Sequence, residues 1–259
     1  MFRNLTGRIV LVLMVTVFIC AISAKADIVQ DGLVAYYSLD ASTIDGENVE
    51  DLIGENDGVI VGGVDEVEGN FGEALQFDGS SGRMNIEGTD DLMFNGAEEM
   101  SVMAWVFRNG SGGGCCGPII GQRDLNGWAL RYDNRNGGTE AELIISPGWV
   151  GDGGGFGVAI PEGEWHYIAG TLLDGTITMY LDGEPESEIA FGGTVATGGG
   201  TATTLAGAGD GNFDGAIDEA LIYTRGLTAD EVKQNFESEI FFAVEPGNKL
   251  AVTWGEIKK

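Results

Sequence analysis

Glycine punctuates this chain so densely that only short elements fit between the punctuation marks. Of 259 residues 44 are glycine, more than double the usual share of about 7%. They follow no three-residue period, which excludes a collagen helix. They cluster between short runs of β-branched and aromatic residues, the pattern of many strands joined by turns. Strands are expected at Leu33–Leu39, Gly58–Val61, Ala74–Phe77, Met84–Glu87, Met100–Phe107, Pro118–Gln122 and Trp128–Tyr132. The series continues at Ala141–Ile145, Trp165–Leu173, Thr176–Leu181, Glu188–Phe191, Thr203–Ala206 and Ala216–Tyr223. Evenly spaced short strands predict an all-β fold, a two-sheet antiparallel jelly-roll sandwich, rather than βαβ units.

Local chemistry sharpens two places. Asp174-Gly175 separates WHYIAGTLL from TITMYL, and Asp-Gly suits a tight hairpin because both turn positions need φ > 0. In the second strand Ile177, Met179 and Leu181 alternate with Thr176, Thr178 and Tyr180, so one face is apolar and the other mixed. Thr228 followed by Glu231 is a capping box. It predicts one short C-terminal helix with Val232 and Phe236 on a common face. The Glu184–Glu188 run after Asp182-Gly183 reads as a solvated turn.

The N-terminus has Arg3 and Arg8, then the apolar run Ile9–Ile22, then Ala24-Lys25-Ala26. That order predicts a signal peptide over 1–26, cleaved after Ala26; the run is shorter than the roughly 20 residues of a spanning helix. The mature chain then comprises one domain, 27–239, and a tail or extra strand, 240–259. Export places it outside the cell, in a periplasm or on a cell surface. The balance of 13 Lys+Arg against 41 Asp+Glu gives a net charge of −28, and such a surface repels nucleic acid and attracts cations. Cys115 and Cys116 are adjacent. Their Cα atoms sit about 3.8 Å apart across a trans peptide, below the usual lower limit of about 4.4 Å for a disulfide. A vicinal bridge, free thiols and bridges to another chain all stay open.

Catalytic motifs are scarce. His166 is the only histidine and sits between Trp165 and Tyr167 in a strand; no G-x-S-x-G, H-E-x-x-H or P-loop accompanies it. Asp210 to Gly215 matches the opening of a calcium loop, but the twelfth position is Leu221 rather than Glu. Asp218 and Glu219 stand in the otherwise apolar strand AIDEALIY. Strict alternation sends them to opposite faces without saying which is buried, and a buried carboxylate needs a compensating partner.

Six segments together resemble laminin-G-like domains of the concanavalin A-like jelly-roll superfamily. They are GLVAYYSLD (32–40), DLIGENDGVI (51–60), GEALQFDGSSGRMNI (72–86), MSVMAWVF (100–107), EWHYIAGTLLDGTITMYLDGE (164–184) and GNFDGAIDEALIYTRGLTADEV (211–232). The resemblance implies two packed sheets and a structural Ca²⁺, with Asp218 as first ligand, Asp40 as second, and Asn56 or Asp57 as a further contributor. Hydrolases of this superfamily carry a Glu-x-Asp-x-x-Glu strand; Glu73, Asp78 and Glu87 do not form one. The expectation is therefore a secreted, non-catalytic module that binds glycan or an extracellular protein. Trp149, between Pro147 and a glycine cluster, is the aromatic expected at its site, beside a polar turn of Tyr132, Asp133, Asn134 and Arg135. A glycoside hydrolase or lyase with an unfamiliar acid/base pair, and an acidic adhesive or structural surface protein, are the alternatives. Oligomeric state is not legible.

Overall fold

The computed structural model describes residues 27–87, 90–110, 116–122, 127–135, 140–153, 155–197, 202–208 and 211–238. The expected signal segment, Cys115, Asp210 and the 240–259 tail lie outside the described residues.

Two antiparallel sheets make the sandwich expected from the glycine punctuation. The first runs β15 (Glu184–Ala190), β14 (Thr176–Leu181), β13 (Trp165–Leu173), β8 (Met100–Arg108), β19 (Asp214–Tyr223), β6 (Glu73–Asp78), β5 (Val64–Glu68). Strand β1 (Leu33–Tyr37) also pairs with β19. The second sheet starts with β12 (Val158–Ala159), β11 (Glu140–Ile145), β10 (Trp128–Asp133) and β9 (Pro118–Gly121). It continues through β16 (Ala202–Leu205), β7 (Arg83–Glu87), β4 (Gly58–Val61), β3 (Asn48–Val49) and β2 (Ile44–Asp45). A small ribbon of β17 (Gly207–Ala208) and β18 (Gly211–Asn212), a 3-10 turn at Ala41–Thr43, and helices α1 (Asp90–Met93) and α2 (Ala229–Glu237), complete the described elements.

Period-two alternation sorts the side chains of β8. Met100, Val102, Ala104 and Val106 enter the core between the sheets, while Met103 and Trp105 join a second cluster on the outer face of the first sheet. There they meet Tyr36, Tyr167, Leu221, Tyr223 and Val232 of α2. The central strands are thus covered on both faces, which is why they read as nearly unbroken apolar runs.

Polar fasteners hold α2 on that face. Thr228 Oγ1 accepts from Glu231 N (3.4 Å) and Glu231 Oε2 accepts from Thr228 N (2.9 Å), completing the capping box. Arg225 grips Glu231 through Nη2 (2.6 Å) and Nη1 (3.0 Å). Buried Asn235 accepts from Val29 N (2.8 Å) and donates to Tyr223 Oη (3.0 Å), tying the segment that precedes β1 to α2. Asp174 and Gly175 have φ of 49° and 71°, the hairpin geometry expected of the pair.

Three expectations need correction. Glu184–Glu188 is not a turn: Asp182 (φ 50°) and Gly183 (φ 82°) make a second tight hairpin and the acidic run becomes β15. Strand β5, with sequence VDEVE, was not foreseen. Both are edge strands of the first sheet, where Glu, Asp and Pro block further pairing and no second face has to be apolar. Finally, β19 does not alternate strictly. Its register against β8 shifts between Asp218 and Leu221, and Glu219 has φ 52°. Ile217 and Ala220, three apart, both enter the inter-sheet core. This β-bulge directs Asp218 and Glu219 away from that core together, rather than to opposite faces.

Candidate functional site

Charged side chains gather where the strand sequences are otherwise apolar. On β10 and β11, Arg131 lies directly opposite Glu142. Their neighbours Leu130, Tyr132, Ala141 and Leu143 turn into the core, so Arg131 and Glu142 share the opposite face of the second sheet. Arg131 donates to Glu142 Oε1 from Nε (2.8 Å) and Nη2 (2.6 Å), and from Nη2 to Asp152 Oδ1 (2.6 Å). Arg135 donates to Asp133 Oδ2 from Nη2 (2.6 Å) and also pairs with Asp152. Gly153 N donates to Glu142 Oε2 (3.0 Å) and Asp152 N to Trp149 O (3.0 Å), so the 149–153 turn is folded onto the cluster.

Exposure is graded across this corner. Arg131 and Glu142 side chains are 0% exposed, Asp152 28% and Arg135 42%. Burial raises the Glu142 carboxyl to about 7, against the opposing pull of the Gly153 N–H and Arg131. Asp133 and Asp152 are also desolvated, yet the hydrogen bonds of Arg135 together with the charges of Arg135 and Arg131 outweigh that and hold both below the usual carboxylate range. Oxygens of Asp133, Glu142 and Asp152 lie within 4.8 Å of one another. The guanidinium groups of Arg131 and Arg135 pair with all three, so the cluster is an ion-pair network with an exposed Arg135–Asp152 rim. Half-buried Trp149 (φ 50°) sits on the same turn.

Of the residues expected at the ligand site, Asp133 and Arg135 enter this network, half-buried Asn134 lies between them, and Trp149 borders it. Tyr132 is a correction. It is 2% exposed, packs in the inter-sheet core, and has the Arg108 guanidinium 5.4 Å from its ring centroid. Alternation requires this, because Asp133 takes the opposite face. Arg131, Glu142 and Asp152 were missed, although an Arg and a Glu inside WALRYD and EAELII were a visible signal. Cys116 Sγ lies 3.9 Å from Asp133 Oδ1, at the buried end of the network. His166 Nδ1 is 2.9 Å from Asp182 Oδ2, at the hairpin end.

A second acidic group lies on the outer face of the first sheet. Asp218 Oδ2 accepts from Phe71 N (2.9 Å) and Asp40 Oδ1 from Glu73 N (2.9 Å). Asp218 Oδ1 is buried with no hydrogen-bond partner. Glu219 Oε2 accepts from Tyr36 Oη at 2.5 Å. Burial, then the Asp40 charge, raises Asp218 to about 8; burial, then Asp218, pushes Glu219 well up. The 69–73 loop wraps closely around this group. A Cβ on Gly69 would fall 2.7 Å from Asp218 Oδ2 and from Phe71 O, and one on Gly72 (φ 56°) 2.2 Å from Asp40 Oδ1. Asp57 does not join it, which corrects the third expected ligand. Asp57 Oδ1 accepts from Asp51 N (3.0 Å) and its charge acts on Tyr37, on the core side of β1, whereas Asp218 lies with Tyr36 on the other. Asn56 Nδ2 donates to Asp51 Oδ2 (3.1 Å) within the same loop.

Residues 78–233 match the family model described as the concanavalin A-like lectin/glucanases superfamily. The chain belongs to this family. Among solved structures, domain 4 of AbnA, a GH43 extracellular arabinanase from Geobacillus stearothermophilus solved with arabinotriose, is 23% identical. That match covers 83% of this chain and 100% of the other, with a TM-score of 0.58. The binding domain of Paraclostridial Mosquitocidal Protein 1 is 16% identical over 79% of this chain and 52% of that one, at TM-score 0.56. Trypanosoma rangeli sialidase with sialic acid is 18% identical at TM-score 0.56; the match covers 81% of this chain and 33% of the sialidase. At these identities the likeness concerns the superfamily fold alone. No curated protein sequence matches the chain. Among the described residues no helix is long and apolar enough to cross a membrane.

Proposed function

We propose that this concanavalin A-like chain is an exported, non-catalytic glycan-binding module whose site is the Trp149–Asp152–Arg135 corner. The observation that carries it is the graded network. A buried Arg131–Glu142 pair holds Asp152 and Arg135 at a rim beside Trp149, so acceptor and donor groups are positioned next to an aromatic. Sugar sites combine these parts, an aromatic face and a few fixed polar groups. The arabinotriose bound to the arabinanase domain supports a carbohydrate ligand, and the Arg3-to-Ala26 pattern supports export. An oxidising compartment would also permit a Cys115–Cys116 bridge.

We further propose Ca²⁺ at Asp218 and Asp40. The donor set fits: a buried carboxylate oxygen without a partner, a second carboxylate, and the Phe71 and Glu73 carbonyls near Gly69. A bound cation supplies the positive charge that these carboxylates otherwise lack.

The hydrolase alternative finds support in Glu142, raised to about 7 beside lowered Asp152. Glu142 has no exposed side-chain surface, so substrate has no path to it and binding is favoured. A glycan array at millimolar Ca²⁺ tests the proposal. Binding by wild type that Trp149→Ala loses is expected; no binding, or binding unaffected by that substitution, refutes the site. Sugar release from polysaccharide panels would favour the hydrolase.

A further inference from the structure

The outer face of the first sheet is not wholly covered by α2. One lateral row of side chains beyond the helix crosses four strands, because Trp165 pairs with Phe107, Phe107 with Ala216, and Ala216 with Gln76. The Trp165 and Phe107 rings lie 5.7 Å apart at 60°, edge to face, and both are half-exposed. Ala216 is 2% exposed and too small to fill the space between the rings and Gln76. A groove of about 170 Å³ results, closed on its far wall by Val67 and Glu68.

We infer that this groove is a second carbohydrate subsite, distinct from the Trp149 corner, and that it takes one neutral sugar ring. The inference rests on the glycan-binding function proposed above. Aromatic side chains hold the C–H face of a sugar while its rim stays polar. The polar groups on the rim are the Glu68 carboxylate, which accepts, and the Gln76 amide, whose nitrogen gives one N–H to Phe77 O (2.9 Å) and keeps a second beside an accepting oxygen. A ligand must therefore both give and take hydrogen bonds, and sugar hydroxyls do. Anionic sugars are disfavoured, because the wall carries Glu68, the row ends at Asp65 opposite Gln76, and the chain's net charge is −28. The groove has room for a single ring, not for a folded peptide segment.

Calorimetric titration of the full chain with arabinotriose, cellotriose and sialyllactose tests this. The expected result is binding of a neutral trisaccharide but not of sialyllactose. Trp165→Ala should weaken it about ten-fold, the scale of one aromatic contact, and Gln76→Ala a few-fold. Gln76 is a partly exposed strand residue whose loss should leave the fold intact, and unchanged melting of both variants checks this. If Trp149→Ala abolishes binding while Trp165→Ala and Gln76→Ala leave it unchanged, the groove is overturned and the corner stands. If both groove variants lose affinity and Trp149→Ala does not, the groove stands and the corner falls. Preference for sialyllactose overturns the neutral-sugar assignment, and binding of none of the three overturns both sites.

Discussion

Replacing Arg131 with Leu removes the cation from a site where two carboxylates depend on it. Arg131 and Glu142 are both 0% exposed, joined by contacts of 2.6 and 2.8 Å, so Glu142 would be left as a buried charge with only the Gly153 N–H. Breaking a buried pair on one side costs about 3–5 kcal/mol, whereas replacing both partners with apolar groups is often neutral. For a domain of this size each kcal/mol moves the melting temperature by about 2–4 °C. Arg131→Leu should therefore lower it by about 6–20 °C at pH 8, and Arg131→Leu/Glu142→Leu should recover most of the loss. The pH dependence has a definite sign. The Glu142 pKa in the fold, about 7, lies above its ordinary 4.5. The folded state thus holds the proton through that window, and Glu142 subtracts stability as pH rises from 4.5 to 7. Over 2.5 units this is on the order of 3 kcal/mol. Without Arg131 the pKa moves higher still, so the variant's deficit should be small at pH 5 and grow towards pH 8. Urea denaturation of wild type, Arg131→Leu and the double variant at both pH values measures this. A single-variant deficit independent of pH, or a double variant as unstable as the single, would refute the buried-pair account.

Chelation should lower the wild-type melting temperature, and Asp218→Ala should abolish the response; at 100 times Kd a bound ion contributes about 2.7 kcal/mol. An unchanged melting curve in chelator removes the calcium proposal. Asn235→Ala deprives Val29 N and Tyr223 Oη of a buried partner. It should cost about 1–3 kcal/mol and speed hydrogen exchange of the Val29 amide before that of β8. Gly183→Ala meets both a φ of 82° and a contact of 2.8 Å with Phe236. A loss exceeding 1 kcal/mol, roughly the αL penalty alone, is expected in thermal melts, with α2 loosened.

Much of what neighbours along the chain govern was legible in advance. Thr228 and Glu231 cap their helix because the two groups are three residues apart, and Asp174-Gly175 turns because both residues tolerate positive φ. The apolar strands declared themselves as short β-branched and aromatic runs between glycine turns, and the order of their motifs placed the chain in its superfamily. Edge strand β5 and the acidic first part of β15 escaped notice, although Glu188–Phe191 was expected as a strand, because an edge needs charge rather than an apolar face. Tyr132 and Asp133 were grouped as one turn, yet the pleat sends the first into the core and the second to Arg135. The bulge at Glu219 broke the alternation from which the faces of β19 were counted. Above all, no local pattern brings Asp152 to Arg131, Phe71 to Asp218, or Phe107 beside Trp165 and Ala216. Residue type and spacing determined what each segment could become; only the pairing of distant strands decided which charges share a dielectric, which carboxylate loses its water, and which aromatics stay partly uncovered. Those are long-range quantities, and the packing of the two sheets creates them.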